Sequence, residues 1–293
     1  MSVGTSCRRI LPYWKNRPIA RSNRKLVKAG ANLTRRLEGR VAIVTGASRE
    51  QGIGTAVCRK LAAEGADIFF TYWSRYDETE GNGAEYDWPG TLCEQLTEQY
   101  GVRSACMEAD LADPVIPLRI LEQVNKQLGA PSILINNACY CVNIGFRDLT
   151  SELLDRHYFV NIRGSSMLST EFAKKFERTL AGQVPGRIIF LVSKGPDPNN
   201  LAYTATKGAL IALTEPLSVA LAPLGITVNG VDPGPTDTGG MNNDVKKHLK
   251  PQFPMGRIGL PKDAANLIAF LSSDEAQWIT GQSIKSEGGY IGR

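Results

Sequence analysis

The chain has 293 residues, 42% hydrophobic and 22% charged, a globular profile with length for one large α/β domain or two small ones. Its net charge of +5 comes from one end: residues 1–37 hold ten Lys and Arg and no acid, so the mildly acidic body lacks the basic footprint of a nucleic-acid binder. No apolar run approaches the roughly 20 residues of a membrane span, and six cysteines with two histidines show no zinc-type spacing, so neither a membrane nor a metal is expected.

The basic segment 1–37 has three readings: an organelle transit peptide, a nucleic-acid-binding arm, or a disordered leader. Pro12 and Pro18 interrupt any long amphipathic helix and no aromatic spacing accompanies the charge. A disordered leader is favoured, with a cytoplasmic location, and organelle targeting is the alternative. The cysteines read as free thiols in a reducing compartment.

From Gly39 the chain alternates short β-branched runs with segments of helical spacing. The spacing predicts a strand at 40–46, a helix at 54–65 closed by glycine, and a strand at 66–72. A helix at 91–101, a strand at 102–110, a helix at 114–129 and a strand at 132–138 follow. One long helix spans about 149–180, before a strand at 186–193. A helix from about Tyr203, interrupted by Pro216 where a kink is expected, leads to a strand at 225–234. A helix at 261–274 and a strand near 282–287 end the series. This alternation implies a doubly wound, Rossmann-type parallel sheet of about seven strands, with helices on both faces. Residues 38–293 read as one dinucleotide-binding catalytic domain. Two segments break the rhythm, 73–90 (acidic, aromatic, Gly-bearing) and 235–259, and long loops in such domains are usually functional.

"VTGASREQGIG" (44–54) turns the first strand into the first helix. Glycines there admit a pyrophosphate to the backbone, and the helix N-terminus offers N–H groups and positive dipole. Gly46, Ser48, Arg49, Gly52, Ile53 and Gly54 are the candidates. A carboxylate ending the second strand would favour NAD. That strand ends in Tyr72-Trp73-Ser74-Arg75, with no acid until Asp77. Arg49 and Arg75 can face a 2′-phosphate, so NADP(H) is preferred, with NAD(H) as the alternative. Asp110 and Asn136 end the third and fourth strands, where a ligand crevice is lined.

Four marks stand in order: "TGASREQGIG", "NNA" (136–138), "YTATK" (203–207) and "DPGPTDT" (232–238). With them, residues 38–293 resemble the compact short-chain dehydrogenases/reductases, nearest to bacterial 3-oxoacyl-[acyl-carrier-protein] reductase-like members. The resemblance implies catalytic roles for Asn161, Ser193, Tyr203 and Lys207. It adds Asp110, Leu111, Asn137, Ala138, Tyr203, Lys207, Pro233, Gly234 and Thr236 to the cofactor site. Residues four apart share a helix face, so Lys207 should sit by Tyr203 and lower its phenol pKa from about 10. Ser193 would orient the substrate oxygen, and Asn161 would support a water relay to the lysine. The implied activity is NADP(H)-dependent reduction of a carbonyl, or oxidation of an alcohol, as in 3-oxoacyl thioester reduction. A homo-oligomer, tetramer or dimer, is implied through the long helices.

This chain departs from the family pattern in places. The Ser193–Tyr203 connection is about three residues short, which narrows the pocket wall and could displace Ser193. Cys139 stands where glycine is usual, and Glu287 where Asp is common. These departures motivate the alternative of a non-catalytic dinucleotide-binding scaffold on the same fold. A serine hydrolase lacks its G-x-S-x-G.

Overall fold

Each β-branched run becomes a parallel strand. The computed structural model describes residues 35–80, 83–195 and 197–292. Its strands are β1 (Val41–Val44), β2 (Asp67–Tyr72), β3 (Ser104–Glu108), β4 (Ile133–Asn136), β5 (Gly186–Leu191), β6 (Ile226–Asp232) and β7 (Ser283–Lys285). They lie in the order β3-β2-β1-β4-β5-β6-β7. The order reverses between β1 and β4, where Ala42 pairs with Ile133 and Val44 with Ile135. In an open parallel sheet this switch point opens a crevice at the strands' carboxyl ends.

Side chains alternate between two cores because successive strand residues face opposite ways. Ala42, Val44, Ile133, Ile135, Ile189 and Leu191 point into one core. Val41, Ile43, Leu134, Ile188, Phe190 and Val228 point into the other. The first core is closed by α1 (Ile53–Ala63), α3 (Trp88–Tyr100) and α9 (Pro261–Ser272); the second by α4 (Ile116–Gln127), α6 (Ser165–Thr179) and α7 (Leu201–Leu221). Burying each such Ile, Leu or Phe contributes about 1.5–3 kcal/mol, so strands covered on both faces read as unbroken apolar runs.

The structure refines four expectations. Segment 73–90 contains a short helix, α2 (Ser74–Thr79), and the first turn of α3. The stretch expected as one helix over 149–180 is α5 (Ser151–His157), a π-helical turn over Tyr158–Gly164, and then α6. The wide turn carries the buried Asn161, and such turns often occur at functional sites. Within 235–259 lies α8 (Asn243–Leu249), capped by the Asn242 side chain. Helix α7 continues past Pro216 to Leu221.

The expectation about membrane spans needs correcting for α7. By length and composition alone, Leu201–Leu224 is apolar enough to cross a membrane. Yet α7 buries Thr206, Lys207, Thr214 and Ser218 on its inner face, where each donates to a backbone carbonyl. Its outer face carries the charged Glu215 as well as Val219, which is 70% exposed.

Residues 1–34 of the expected leader lie outside the described residues. Its last residues, Arg35–Leu37, lie against the fold. Leu37 is fully buried, and Arg36 donates two hydrogen bonds of 2.7 Å to the Glu64 carboxylate.

Candidate active site

The glycine turn is shaped by contacts that exclude side chains. Gly46 follows β1 at φ +77°, and a Cβ there would lie 2.7 Å from the Ala138 Cα. Gly54, in the first turn of α1, is as confined: its Cβ would meet the Gly46 carbonyl oxygen at 2.3 Å. Asn137 fastens the turn to the end of β4, donating from Nδ2 to the Thr45 and Gly46 carbonyls, each at 2.8 Å. Thr45 Oγ1 accepts from the Asn137 and Ala138 amides at 3.0 Å. Gly52 caps α1 with no side-chain hydrogen bond, which leaves first-turn N–H groups for an anion.

This turn opens into a cleft of about 860 Å³. Gly46, Ser48, Arg49, Gly52, Ile53, Gly54, Asp110, Leu111, Asn137, Ala138, Tyr203 and Thr236 line it, so most of the expected cofactor residues share one wall. Asn161, Ser193, Lys207, Pro233 and Gly234 stand behind the lining. Pro233 and Gly234 follow β6, and their carbonyls accept from Thr236 Oγ1. Asn136 is turned away, donating to Ser169 at 3.0 Å inside the core.

Despite the shortened 194–200 connection, Ser193 stays close enough to Tyr203 to act on its phenol. Asn200 braces the connection, its Nδ2 donating to Asn143 Oδ1 at 3.1 Å and to Cys141 Sγ at 3.4 Å. Lys207 Nζ lies 5.4 Å from the centre of the Tyr203 ring and donates to the Leu191 carbonyl at 2.7 Å. Asn161 is tied to the Tyr140 backbone and to α7. Its Oδ1 accepts from the Tyr140 amide at 2.7 Å, and its Nδ2 donates to the Tyr140 carbonyl and Thr206 Oγ1.

One expectation changes here. Lys207 was expected to lower the phenol pKa of Tyr203, yet burial pushes it well above its ordinary value. The Cys139 and Cys141 thiols and the Asp232 carboxylate add to the rise, and Ser193 only partly opposes it. The ammonium donates to a backbone carbonyl. The Asn161 amide, expected to support a water relay, ties the Tyr140 backbone to Thr206 of α7.

The sequence reading passed over several residues of the cleft. Asp77 is buried and lines it, 3.3 Å from Arg49 Nε, with a hydrogen bond to Ser48. Burial raises its carboxyl pKa, against the pull of Arg49. Tyr76 reaches across from α2, its hydroxyl donating to the Cys141 carbonyl at 3.0 Å. Its ring meets Tyr140 edge-on at 5.5 Å. The acidic, aromatic composition of 73–90 was the available signal, but only the fold brings it opposite Cys139–Cys141. His157 is satisfied in the core, between the Leu153 carbonyl and the Val142 amide.

A glycine-cradled crevice at the switch point of a parallel sheet, with Tyr and Lys one helical turn apart beside it, defines a nicotinamide-dinucleotide oxidoreductase. Comparison with known proteins places the chain further. Residues 46–291 match the family model described as enoyl-(acyl carrier protein) reductase. The uncharacterized oxidoreductase YjdA of Bacillus subtilis is 48% identical over 255 residues, covering 86% of this chain and 97% of that protein. The NADPH-dependent aldehyde reductase 2, chloroplastic, of Arabidopsis thaliana is 35% identical over 267 residues, 87% of this chain and 95% of that one. A blue fluorescent protein from a metagenomic library, solved in complex with NADPH, superposes with a TM-score of 0.74. It is 32% identical and covers 87% of this chain and 99% of its own. The chain belongs to the short-chain dehydrogenase/reductase family, whose members are NAD(P)-dependent oxidoreductases.

Proposed function

We propose that this protein is an NADP(H)-dependent carbonyl reductase, acting on alcohols in reverse. The observation that carries the reading is Tyr203 on the lining of the glycine-cradled cleft, with Ser193 close enough to act on its phenol and Lys207 Nζ 5.4 Å from its ring. Two hydroxyls converging there are what a carbonyl oxygen needs: one to orient it, one to protonate it. A nicotinamide held in the cleft would supply or accept the hydride. Tyr203 gives its proton to the substrate oxygen in reduction and recovers one in oxidation. Ser193 holds that oxygen in line, where a misplacement of about 1 Å can cost on the order of a hundredfold in rate. Lys207, fixed by the Leu191 carbonyl, would bind the cofactor ribose. Asn161 keeps the Tyr140 segment and α7 in register.

The cofactor preference rests on charge. Arg49 and Arg75 both line the cleft, and the guanidinium of Arg49 is aimed by Asp77. A 2′-phosphate suits that pair better than a bare ribose hydroxyl. The NADPH named for the Arabidopsis and metagenomic relatives supports the same choice. NAD(H) is the alternative, and comparing NADPH and NADH affinities in wild type and Arg49→Ala decides between them.

The substrate is placed as a small-molecule carbonyl, with 3-oxoacyl thioesters among the candidates. Of the lysines that could meet an acyl carrier protein, Lys246 is spent on Asp237 at 2.7 Å. Lys247 and Lys250 are exposed. We also propose a homo-oligomer through the α5–α6 and α7 faces, where Leu154, Tyr158, Met167 and Val219 are exposed.

The test is NADPH oxidation by purified protein over aldehydes, ketones and 3-oxoacyl thioesters of rising length. Tyr203→Phe should lose about 10²–10⁴ in rate while keeping NADPH affinity. Undiminished turnover in that variant overturns the mechanism. Tight NADPH binding with no turnover of any carbonyl would favour the scaffold alternative.

A further inference from the structure

Five cysteines lie among the described residues, all as free thiols. Cys139 and Cys141 belong to the cleft, and Cys58 is fully buried. Cys93 and Cys106 are half-buried and far from the roles assigned above. Cys106 sits in β3, an edge strand of the sheet, and Cys93 in α3, which covers it. Strand residues two apart share a face, and Ser104 marks which face of β3 meets the helix. Its Oγ donates to the Cys93 carbonyl at 2.8 Å. Cys106 is the next residue on that face. Thr97 Oγ1 lies 3.1 Å from Ser104 Oγ, so one turn back along α3 and two residues on along β3 Cys93 and Cys106 face one another; both pack against the same core, and each thiol shifts the other's pKa.

We propose that Cys93 and Cys106 form a redox-modifiable dithiol, which closes to a disulfide that ties α3 to the edge strand β3. Two thiols that face one another across a helix–strand contact reach the S–S length of about 2.05 Å by side-chain rotation. Either cysteine can attack first as its thiolate, and the other then resolves the mixed disulfide.

The oxidant is a low-molecular-weight disulfide. The thiolate of one cysteine attacks one of its sulfurs, forming a mixed disulfide and releasing one small thiolate. The thiolate of the other then attacks the Sγ of the bonded cysteine, and the second small thiolate leaves. Two protein S–H bonds become one S–S bond, the reagent takes up two electrons, and the two protons pass to the released thiolates. Cys58 stays out because burial pushes its thiol far above the ordinary range.

The test is treatment of the full chain with glutathione disulfide, alkylation of remaining thiols, and tryptic mapping without reductant. Cleavage after Arg75, Arg103 and Arg119 separates the two cysteines. The expected product is peptide 76–103 joined to peptide 104–119, two hydrogens lighter than their sum and split by a reductant. Cys93→Ser should accumulate one glutathione on Cys106, and Cys106→Ser one on Cys93, because each lacks its resolving thiol. Alkylated, unlinked 76–103 and 104–119 peptides after oxidation would overturn the proposal, as would linkage of either peptide to the one bearing Cys58. Should a serine variant fail to fold, the wild-type peptide map alone decides.

Discussion

Gly46 offers a sharp test of the cradle. Alanine there must hold φ near +77°, in the left-handed region, at about 1–2 kcal/mol. Its Cβ would stand 2.7 Å from the Ala138 Cα. That atom is backbone, with no rotamer to yield, so the turn and the end of β4 must separate, as in an overpacked core, at about 1–3 kcal/mol. The sum of about 2–5 kcal/mol corresponds to a fall in Tm of roughly 5–15 °C for a domain of this size. Separation also opens the anion cradle, so NADPH affinity should fall by tenfold or more, equivalent to about 1.4 kcal/mol. Gly54→Ala meets a carbonyl oxygen at 2.3 Å without the φ cost and should be intermediate. Gly52, extended at φ −74°, where an added Cβ would stand 3.2 Å from the Arg49 carbonyl oxygen, should tolerate alanine within about 1 kcal/mol. Differential scanning fluorimetry and NADPH fluorescence titration read both quantities. A Gly46→Ala protein that melts and binds like wild type, or a Gly52→Ala that is the worst of the three, refutes the argument.

Three further outcomes follow. Tyr203 keeps its proton through neutral pH because burial raises its pKa. Alcohol oxidation, which needs the phenolate, should therefore rise about tenfold per pH unit across neutrality, while carbonyl reduction does not rise; initial rates in both directions check this, and parallel profiles would contradict it. Glu64 has its pKa lowered to about 2, chiefly by Arg36, so the stability this ion pair contributes is full above the ordinary carboxylate range and is lost as pH falls from there towards 2. After allowance for solvent screening it amounts to about 1–2 kcal/mol; urea titrations of wild type and Glu64→Gln should differ by that much at pH 7 and converge in acid, and a constant difference would count against it. Val219→Glu places a charge on the outer face of α7 and should shift the assembly towards monomers in light scattering, an effect absent if that face meets solvent in wild type.

The architecture was legible because its signals are local. Buried parallel strands read as apolar runs, and the helices between them carry their own periodicity, so the seven strands and their helices follow from the sequence within a few residues. The π turn at Tyr158–Gly164 was not legible, since its residues are as apolar and periodic as the helices either side. The candidate site divided in the same way. Gly46, Gly54, Tyr203 and Lys207 are visible because backbone clearance and a one-turn spacing restrict residue type locally. Asp77 and Tyr76 lie in a segment of unusual composition, but nothing in that composition says which cleft wall they reach.

The sequence by itself determined the alternation of strand and helix, the glycine turn and the Tyr203–Lys207 spacing, because each depends on chain neighbours. The tertiary structure decided which groups face one another across that frame: Asp77 with Arg49, Tyr76 with Cys141, Cys93 with Cys106, and Lys207 with a carbonyl. It also reversed the expected direction of the Tyr203 pKa shift. Contacts between distant segments and the dielectric around a buried phenol are properties of packing, and no single stretch of chain encodes them.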